Sequence, residues 1–509
     1  MQSDTSNPSV WMATADVPDL APLRKDERAD VCIVGAGISG LSTAYLLLRE
    51  GRDVVVIDDG TLTDGASART TAHLSNAFDD RYYEVERLHG EAGARLVAES
   101  HTAAIDTIEA IVAEEGIDCD FERCDGYLVA APGRSVEELH QELAACHRAG
   151  LGDVRLVERV PIGFYDFRPA LCFPRQAQFH PLKYLAQLTE AIRRRGGRVY
   201  AHTRAVNIEG GERVHVETAD GFVVAADALV VATNTPVNDR FAIHTKQAPY
   251  RTYVVGARVP PGAVPTLLLW DTLDAYHYVR VQRNVGGHDM LIVGGEDHKT
   301  GQADDFEKRY ARLEAWTRER FPMVEGFDFH WSGQVMEPVD YLAFIGPNPG
   351  DEEDNIYVVT GDSGNGMTHG TIAGMLLTDL ICGHRNPWTV LYDPARITVK
   401  AAAEFAKENL NVAARFAEYA TPGEVKSTDD IAPGTGAVVR RGFRKIAAYR
   451  DESGMLHCRS AVCTHLRCIV HWNSDERTWD CPCHGSRFDK IDGRPLNGPA
   501  HEPLGPAES

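Results

Sequence analysis

An apolar run, Val31 to Val34, leads straight into Gly35-x-Gly37-x-x-Gly40, and behind the glycines a leucine-rich stretch with helical spacing runs to Arg49. A second apolar run, Val54 to Ile57, ends on Asp58. This order of elements leaves the chain few folds to choose from. Gly35 makes a tight turn, Gly37 lets backbone approach a pyrophosphate, and Gly40 lets helix pack on strand. Ile38 and Ser39 open the helix, whose unpaired N–H groups and positive dipole end suit a pyrophosphate. Asp58, about twenty residues after the first glycine, is placed to accept hydrogen bonds from a ribose. Alone, such a glycine pattern is equally a turn that binds nothing. Strand, glycines, helix, strand and acid in one ordered unit read as a dinucleotide site in an α/β domain.

The 509 residues exceed what one core organises and imply two to four domains. A net charge of −22 speaks against nucleic acid and an anionic membrane surface, and no apolar run reaches the length of a membrane span. The charge suits a cationic partner, although many proteins are acidic for solubility alone. The N-terminus lacks the basic and apolar regions of a signal peptide, so a cytoplasmic location is expected. Of eleven cysteines, four fall within Cys463 to Cys483, the distribution of a local cofactor site rather than a disulfide framework.

Asn355 to Ile381 reads as an apolar strand, a loop with Gly361, Gly364, Asn365 and Gly366, and a long helix opening on Met367 and Thr368. This stretch, with the earlier ADALVVATN (Ala226 to Asn234), resembles the flavin-binding segments of the D-amino-acid oxidase and sarcosine oxidase superfamily. The resemblance covers roughly residues 28 to 395. It implies an FAD-binding domain of the Rossmann-like, glutathione-reductase type, an α+β substrate domain, and a late helix whose N-terminus lies under the flavin. No second strand–GxGxxG–helix unit is seen, so NAD(P)H is not the expected electron source. Asp64 to Phe78 resembles the segment that wraps the flavin in putrescine-oxidising members, implying cofactor roles for Arg69, Thr70, His73 and Leu74. Some relatives tether the flavin through a histidine here. Thr70 stands at that position, and His73 is expected as a hydrogen-bonding neighbour of the flavin. Where amine-oxidising relatives carry a lysine for the substrate carboxylate this chain has Thr368, and where they carry one that assists oxygen it has Ile292. The first departure speaks against a simple amino-acid substrate, and the second, with the cysteine–histidine centre described next, favours a dehydrogenase over an oxidase.

Near the C-terminus, Cys463-x-His465 and Cys481-x-x-His484 stand fifteen residues apart. Two thiolates and two imidazoles so interleaved match the ligand pattern of a Rieske [2Fe–2S] centre. Zinc is the alternative, but a zinc finger groups its histidines together. CTHLRC with CPCHGS resembles the Rieske proteins of respiratory cytochrome complexes. That resemblance implies an all-β domain, a Cys468–Cys483 disulfide, a Ser486 hydroxyl directed at cluster sulfur, and a covering proline loop at Asn497-Gly498-Pro499. Phe488 stands where those proteins often carry tyrosine, so one hydrogen bond to sulfur is missing and a lower potential is expected. Ser509 comes early for the last strands of this fold, which leaves domain closure as a question for the structure.

The organisation expected is an N-terminal arm over 1–28 anchored by Trp11, a discontinuous FAD-binding domain (29–80, 172–240, 336–398) and a substrate domain (81–171, 241–335). A helix and linker over 399–425 then lead to the Rieske domain at 426–509. The pattern predicts a long helix from Tyr82 to Glu115 and a strand through Tyr276, His277, Tyr278 and Arg280. Alternation puts Tyr276, Tyr278 and Arg280 on one face and His277 on the other. These four are the candidate catalytic residues, with ordinary sheet packing the alternative for each. A flavin accepts a hydride and a Rieske centre carries one electron, so the whole reads as an oxidoreductase for a small amine or amino-acid-like substrate. It passes electrons to a quinone, cytochrome or ferredoxin. Alternatives are an electron-transfer protein, an oxygenase component and a hydroxy-acid dehydrogenase; a homo-oligomer is compatible with any of them.

Overall fold

A computed structural model describes residues 7–131, 136–236, 243–274, 276–350 and 355–507. Its first sheet holds the nucleotide unit. Glu27–Val34 is central, with Val54–Ile57 and Val223–Val231 parallel on either side; Arg198–Tyr200 and Ile356–Thr360 lie parallel outside them, and Phe344–Pro347 is antiparallel at the edge. Fully buried strands such as Val54–Ile57 need cover on both faces, and helices Ile38–Arg49, Pro181–Arg194 and Gly366–Ile381 supply one cover.

The second sheet has nine strands. Its long members alternate between two cores. In Gln247–Val259, Val254 joins the core shared with the nucleotide unit, whereas Tyr253, Val255 and Ala257 face a separate core under helix Phe306–Arg320. The strand Ala170–Gln178, which the sequence reading divided at residue 172, pairs along its length within this sheet, and so does His73–Leu74. The predicted helix spans Tyr82–Glu115 but is broken at Gly90, whose φ of 76° is not helical. Trp11 is fully buried, and its Nε1 donates to the Thr70 carbonyl at 2.6 Å.

Helix Ala402–Arg415 and a 3-10 turn, Phe416–Ala420, lead to the last unit. It has a three-stranded sheet (Thr435–Arg441, Arg444–Arg450, Leu456–Ser460) and a four-stranded one (His471–Asn473, Thr478–Asp480, Arg487–Asp489, Pro495–Asn497), both antiparallel. A bridge from Pro506 to Arg459 ties the final segment to the first of these sheets.

Candidate active site and cluster centre

Steric necessity explains the first glycines. A Cβ on Gly35 would lie 2.4 Å from the Ala232 carbonyl oxygen, and one on Gly40 would lie 1.8 Å from that of Gly35. Gly37 meets only Ser67 Oγ, which accepts from the Ile38 N–H at 3.1 Å. The helix behind has no side-chain cap, and neither has Gly366–Ile381 with Asn365 at its N-cap. Gly370 and Gly374 let that second helix pack against Ile38–Arg49 at Ser39 and Ser42. Two close helices with uncapped N-termini are a donor set that fits an FAD. Asp58 accepts from the Ala36 and Gly60 N–H groups at 2.6 and 2.8 Å, and burial raises its pKa above the usual carboxylate range.

The segment after Asp64 is held by its carbonyls. Ser9 Oγ donates to Ala68, Trp331 Nε1 to Arg69, Trp11 Nε1 to Thr70, and Arg280 to Thr71 and Ala72. Leu74 is fully buried. The His73 ring sits 3.1 Å from Thr71 Oγ1 and 3.3 Å from the Val279 carbonyl, edge-on to Tyr278; burial, then Arg280, pushes its pKa down to about 3, so it is neutral.

Two expected site residues face elsewhere. Arg69 directs its guanidinium at Glu476, 3.2 Å away, because that carboxylate offers charge where the flavin segment offers none. The strand begins at Tyr278, so Tyr276 and His277 precede it, and of the four catalytic candidates only the two tyrosines keep their hydroxyls toward the acids described below. His277 is stacked on Trp316 and paired with Asp271 at 2.8 Å on the far face. Arg280 is on the near face, but its donors are spent on carbonyls and Gln282, so it positions the flavin segment. Tyr276 donates to Asp79 at 2.8 Å, and Tyr278 shares a 2.6 Å hydrogen bond with Thr252. Gly294 opposite makes room, since a Cβ there would lie 2.1 Å from the Tyr278 ring.

Sequence reasoning missed the acids around these tyrosines. Asp297 follows a bulge in His288–Lys299, where Glu296 has φ 61°. Burial lifts its pKa to about 7. Asp79, Asp80, Glu337 and Asp362 complete the group, each with a raised pKa, burial first among the causes. They come from three further places in sequence with no shared spacing, so no motif could have found them.

In the last unit the Cys463 and Cys481 sulfurs face each other, both buried. The Cys463 sulfur receives the N–H groups of His465 and Leu466 and the Ser486 hydroxyl; that of Cys481 receives those of Cys483 and His484. The His465 and His484 rings stand 5.0 Å apart, and His484 Nδ1 is sealed with no hydrogen-bond partner. Donors converging on two sulfurs beside an orphaned imidazole nitrogen fit a cluster better than they fit a packed core. Cys468 and Cys483 form the disulfide, so of the gathered sulfurs of Cys468, Cys481 and Cys483 only the second is free to ligate. Phe488 is fully buried in the domain core.

This unit docks on its own chain. Gln334 Nε2 donates to the Gly485 carbonyl at 3.1 Å, Gln302 Nε2 to that of Pro482 at 3.1 Å, and the His244 ring stands 5.0 Å from that of His465. Beside the loop lies a buried ion network. Glu476 faces Arg69 at 3.2 Å, Arg251 at 3.5 Å and Arg487 at 3.6 Å, while Asp480 faces Arg487 at 3.3 Å. Burial alone would raise Glu476; the three guanidiniums hold it at about 2.

The nucleotide cradle, the nine-stranded roof and the sulfur–imidazole centre together define a flavin and iron–sulfur oxidoreductase. The chain belongs to the FAD dependent oxidoreductase family (DAO), whose model matches residues 30–380, and carries a Rieske [2Fe-2S] domain at 421–507. Its cofactors are accordingly FAD and a [2Fe–2S] cluster. It is 34% identical over 505 residues to the Rieske 2Fe-2S iron-sulfur protein YhfW of Bacillus subtilis, covering 97% of this chain and 96% of that one. Gamma-glutamylputrescine oxidoreductase of Escherichia coli is 27% identical over 372 residues, covering 71% and 85%. Glycine oxidase from Geobacillus kaustophilus shares the fold at TM-score 0.62 and 19% identity, covering 73% of this chain and 99% of that one. Among the described residues no helix is long and apolar enough to cross a membrane.

Proposed function

We propose that this protein oxidises a small amine at the flavin and passes the electrons singly through the Rieske centre to an external acceptor. The observation that carries the reading is the second sheet. Tyr278, Thr252 and Ile292 lie on its flavin side, and Gln334, Arg251 and Ser332 on its other side hold the cluster domain. When bound, FAD takes up a hydride and the [2Fe–2S] centre carries one electron at a time.

The chain's own residues supply the rest. Tyr276 donates to Asp79, and Tyr278 stands beside a His73 that burial keeps neutral. Asp297, titrating near 7, is part ionised at neutral pH and takes the ammonium proton on its carboxylate. The hydride donor must be the neutral amine, so that transfer sets the pH dependence. Flavin reduction is expected to rise with pH through about 7, and Asp297→Asn to remove that rise; a flat profile in the parent enzyme counts against the role.

Metal analysis should return two irons, two acid-labile sulfides and one FAD per chain, as a 2Fe-2S domain requires. Stoichiometric zinc without iron would overturn the assignment. Ile292 is fully buried beside Arg280, with no lysine ammonium at that place. Substrate-reduced, cluster-free protein is therefore expected to reoxidise slowly in air. Reoxidation at the catalytic rate with stoichiometric peroxide would make this an oxidase.

A further inference from the structure

Most acids shut away from solvent in this chain are matched by cations, Glu142 and Asp58 being held by backbone N–H groups instead. Glu476 and Asp480 share three arginines, Asp340 has Arg396 at 2.8 Å, and Asp289 has Arg283 at 2.5 Å. The group beneath the second sheet breaks this rule. Asp79 accepts from Tyr276, Asp80 from Ser363 Oγ at 3.0 Å, and Asp362 from the Met336 N–H at 3.4 Å. Among the described residues, no lysine, arginine or histidine nitrogen comes within 4.0 Å of a carboxylate oxygen of Asp79, Asp80, Asp297, Glu337 or Asp362.

The nearest cations, Arg81 and Arg309, draw down Asp79, Asp80 and Asp297 through their charge but pair with none of them. Arg81 donates to the carbonyls of Asp79 and Asp271, and Arg309 to Asp305 and the Glu296 carbonyl. A second observation stands apart from the charges: the Asp297 carboxyl has the Thr252 hydroxyl as a hydrogen-bond partner, but its Oδ1 is sealed from solvent and has none. A buried carboxylate oxygen without a donor costs free energy unless a ligand supplies one. All five residues are half-buried.

We propose that the substrate of this site carries two or more positive charges, as an alkyl diamine or polyamine does, and that its ammonium groups are the countercharge these five carboxylates lack. The inference rests on the amine reading above and narrows it. An amino acid would bring a carboxylate into this group, where Thr368 offers a hydroxyl bonded to the Asn365 carbonyl and Arg280 is already spent. Burial and mutual repulsion keep part of the group protonated in the empty site, with Asp297 near 7 and Asp362 near 6. A polycation reverses that balance, so binding releases protons.

Oxidised holoenzyme titrated with 1,4-diaminobutane, spermidine, butylamine, glycine and L-proline tests this, with the flavin spectrum reporting binding. Calorimetry in two buffers of different ionisation enthalpy counts protons, and anaerobic flavin bleaching by each compound and by lactate follows. The two polycations are expected to bind about tenfold or more tighter than butylamine, with proton release and no response to glycine or proline. Glu337→Gln should weaken diaminobutane about tenfold while leaving butylamine within about twofold and FAD content unchanged. Butylamine or a zwitterion binding as tightly as the diamine, with amines still bleaching the flavin, overturns the polycation and leaves the amine reading standing. Bleaching by lactate alone, or by none of these compounds, overturns both. Should Glu337→Gln lose FAD, the parent enzyme's preference between diamine and monoamine decides the matter.

Discussion

Replacing Glu476 by alanine is expected to release the Rieske domain from the rest of the molecule. The change leaves Arg69, Arg251 and Arg487 facing one another across a buried contact, with Asp480 the remaining close acid. Removing one partner of a buried ion cluster costs about 3–5 kcal/mol, because the charges left behind stay desolvated. Only about 1 kcal/mol would follow if the same groups lay at the surface. Limited proteolysis after Ala420 and a two-step melting curve should report the release. Acid should do the same to the parent protein. Glu476 is held at about 2, below its unfolded value, so its contribution is complete above the ordinary carboxylate range and is lost as pH falls from about 4 toward 2. A variant that melts in one step at the parent temperature and resists protease equally would show that the network holds nothing.

His484→Ala is expected to separate the two half-reactions. The ring is 3% exposed, with its Nδ1 unpartnered, so its loss removes the proposed ligand atom and little else of the interface. Flavin reduction by the amine should stay within about twofold, and turnover with a one-electron acceptor should fall on the order of a hundredfold or more. Truncation after Glu424 is the less clean experiment. It would strand Arg69 and Arg251 without Glu476 and uncover Gln334, so a lost activity could reflect a collapsed roof. Normal turnover by a cluster-free His484→Ala protein would make the domain structural and end the proposed route.

What the chain settles by itself is local. Gly35 and Gly40 are dictated by backbone atoms nearby in sequence or across one strand, and that requirement shows as a spacing. Cys463, His465, Cys481 and His484 sit in two short loops whose pairwise spacing already suits a four-ligand cluster, and the disulfide partners Cys468 and Cys483 lie within the same stretch. The strand through Tyr278 and Arg280 was legible, although it starts at Tyr278 and leaves Tyr276 and His277 before it, and nothing in it tells which polar groups face a ligand. Only the tertiary structure turns His277 toward Trp316, spends Arg280 on carbonyls, and carries Arg69 from the flavin segment to Glu476, some four hundred residues away in sequence. The acids around Asp297 belong to the same class. Their pKa values and their want of a countercharge come from burial against segments far apart in the chain, and desolvation is a property of the surrounding volume that no residue carries in its neighbours along the sequence.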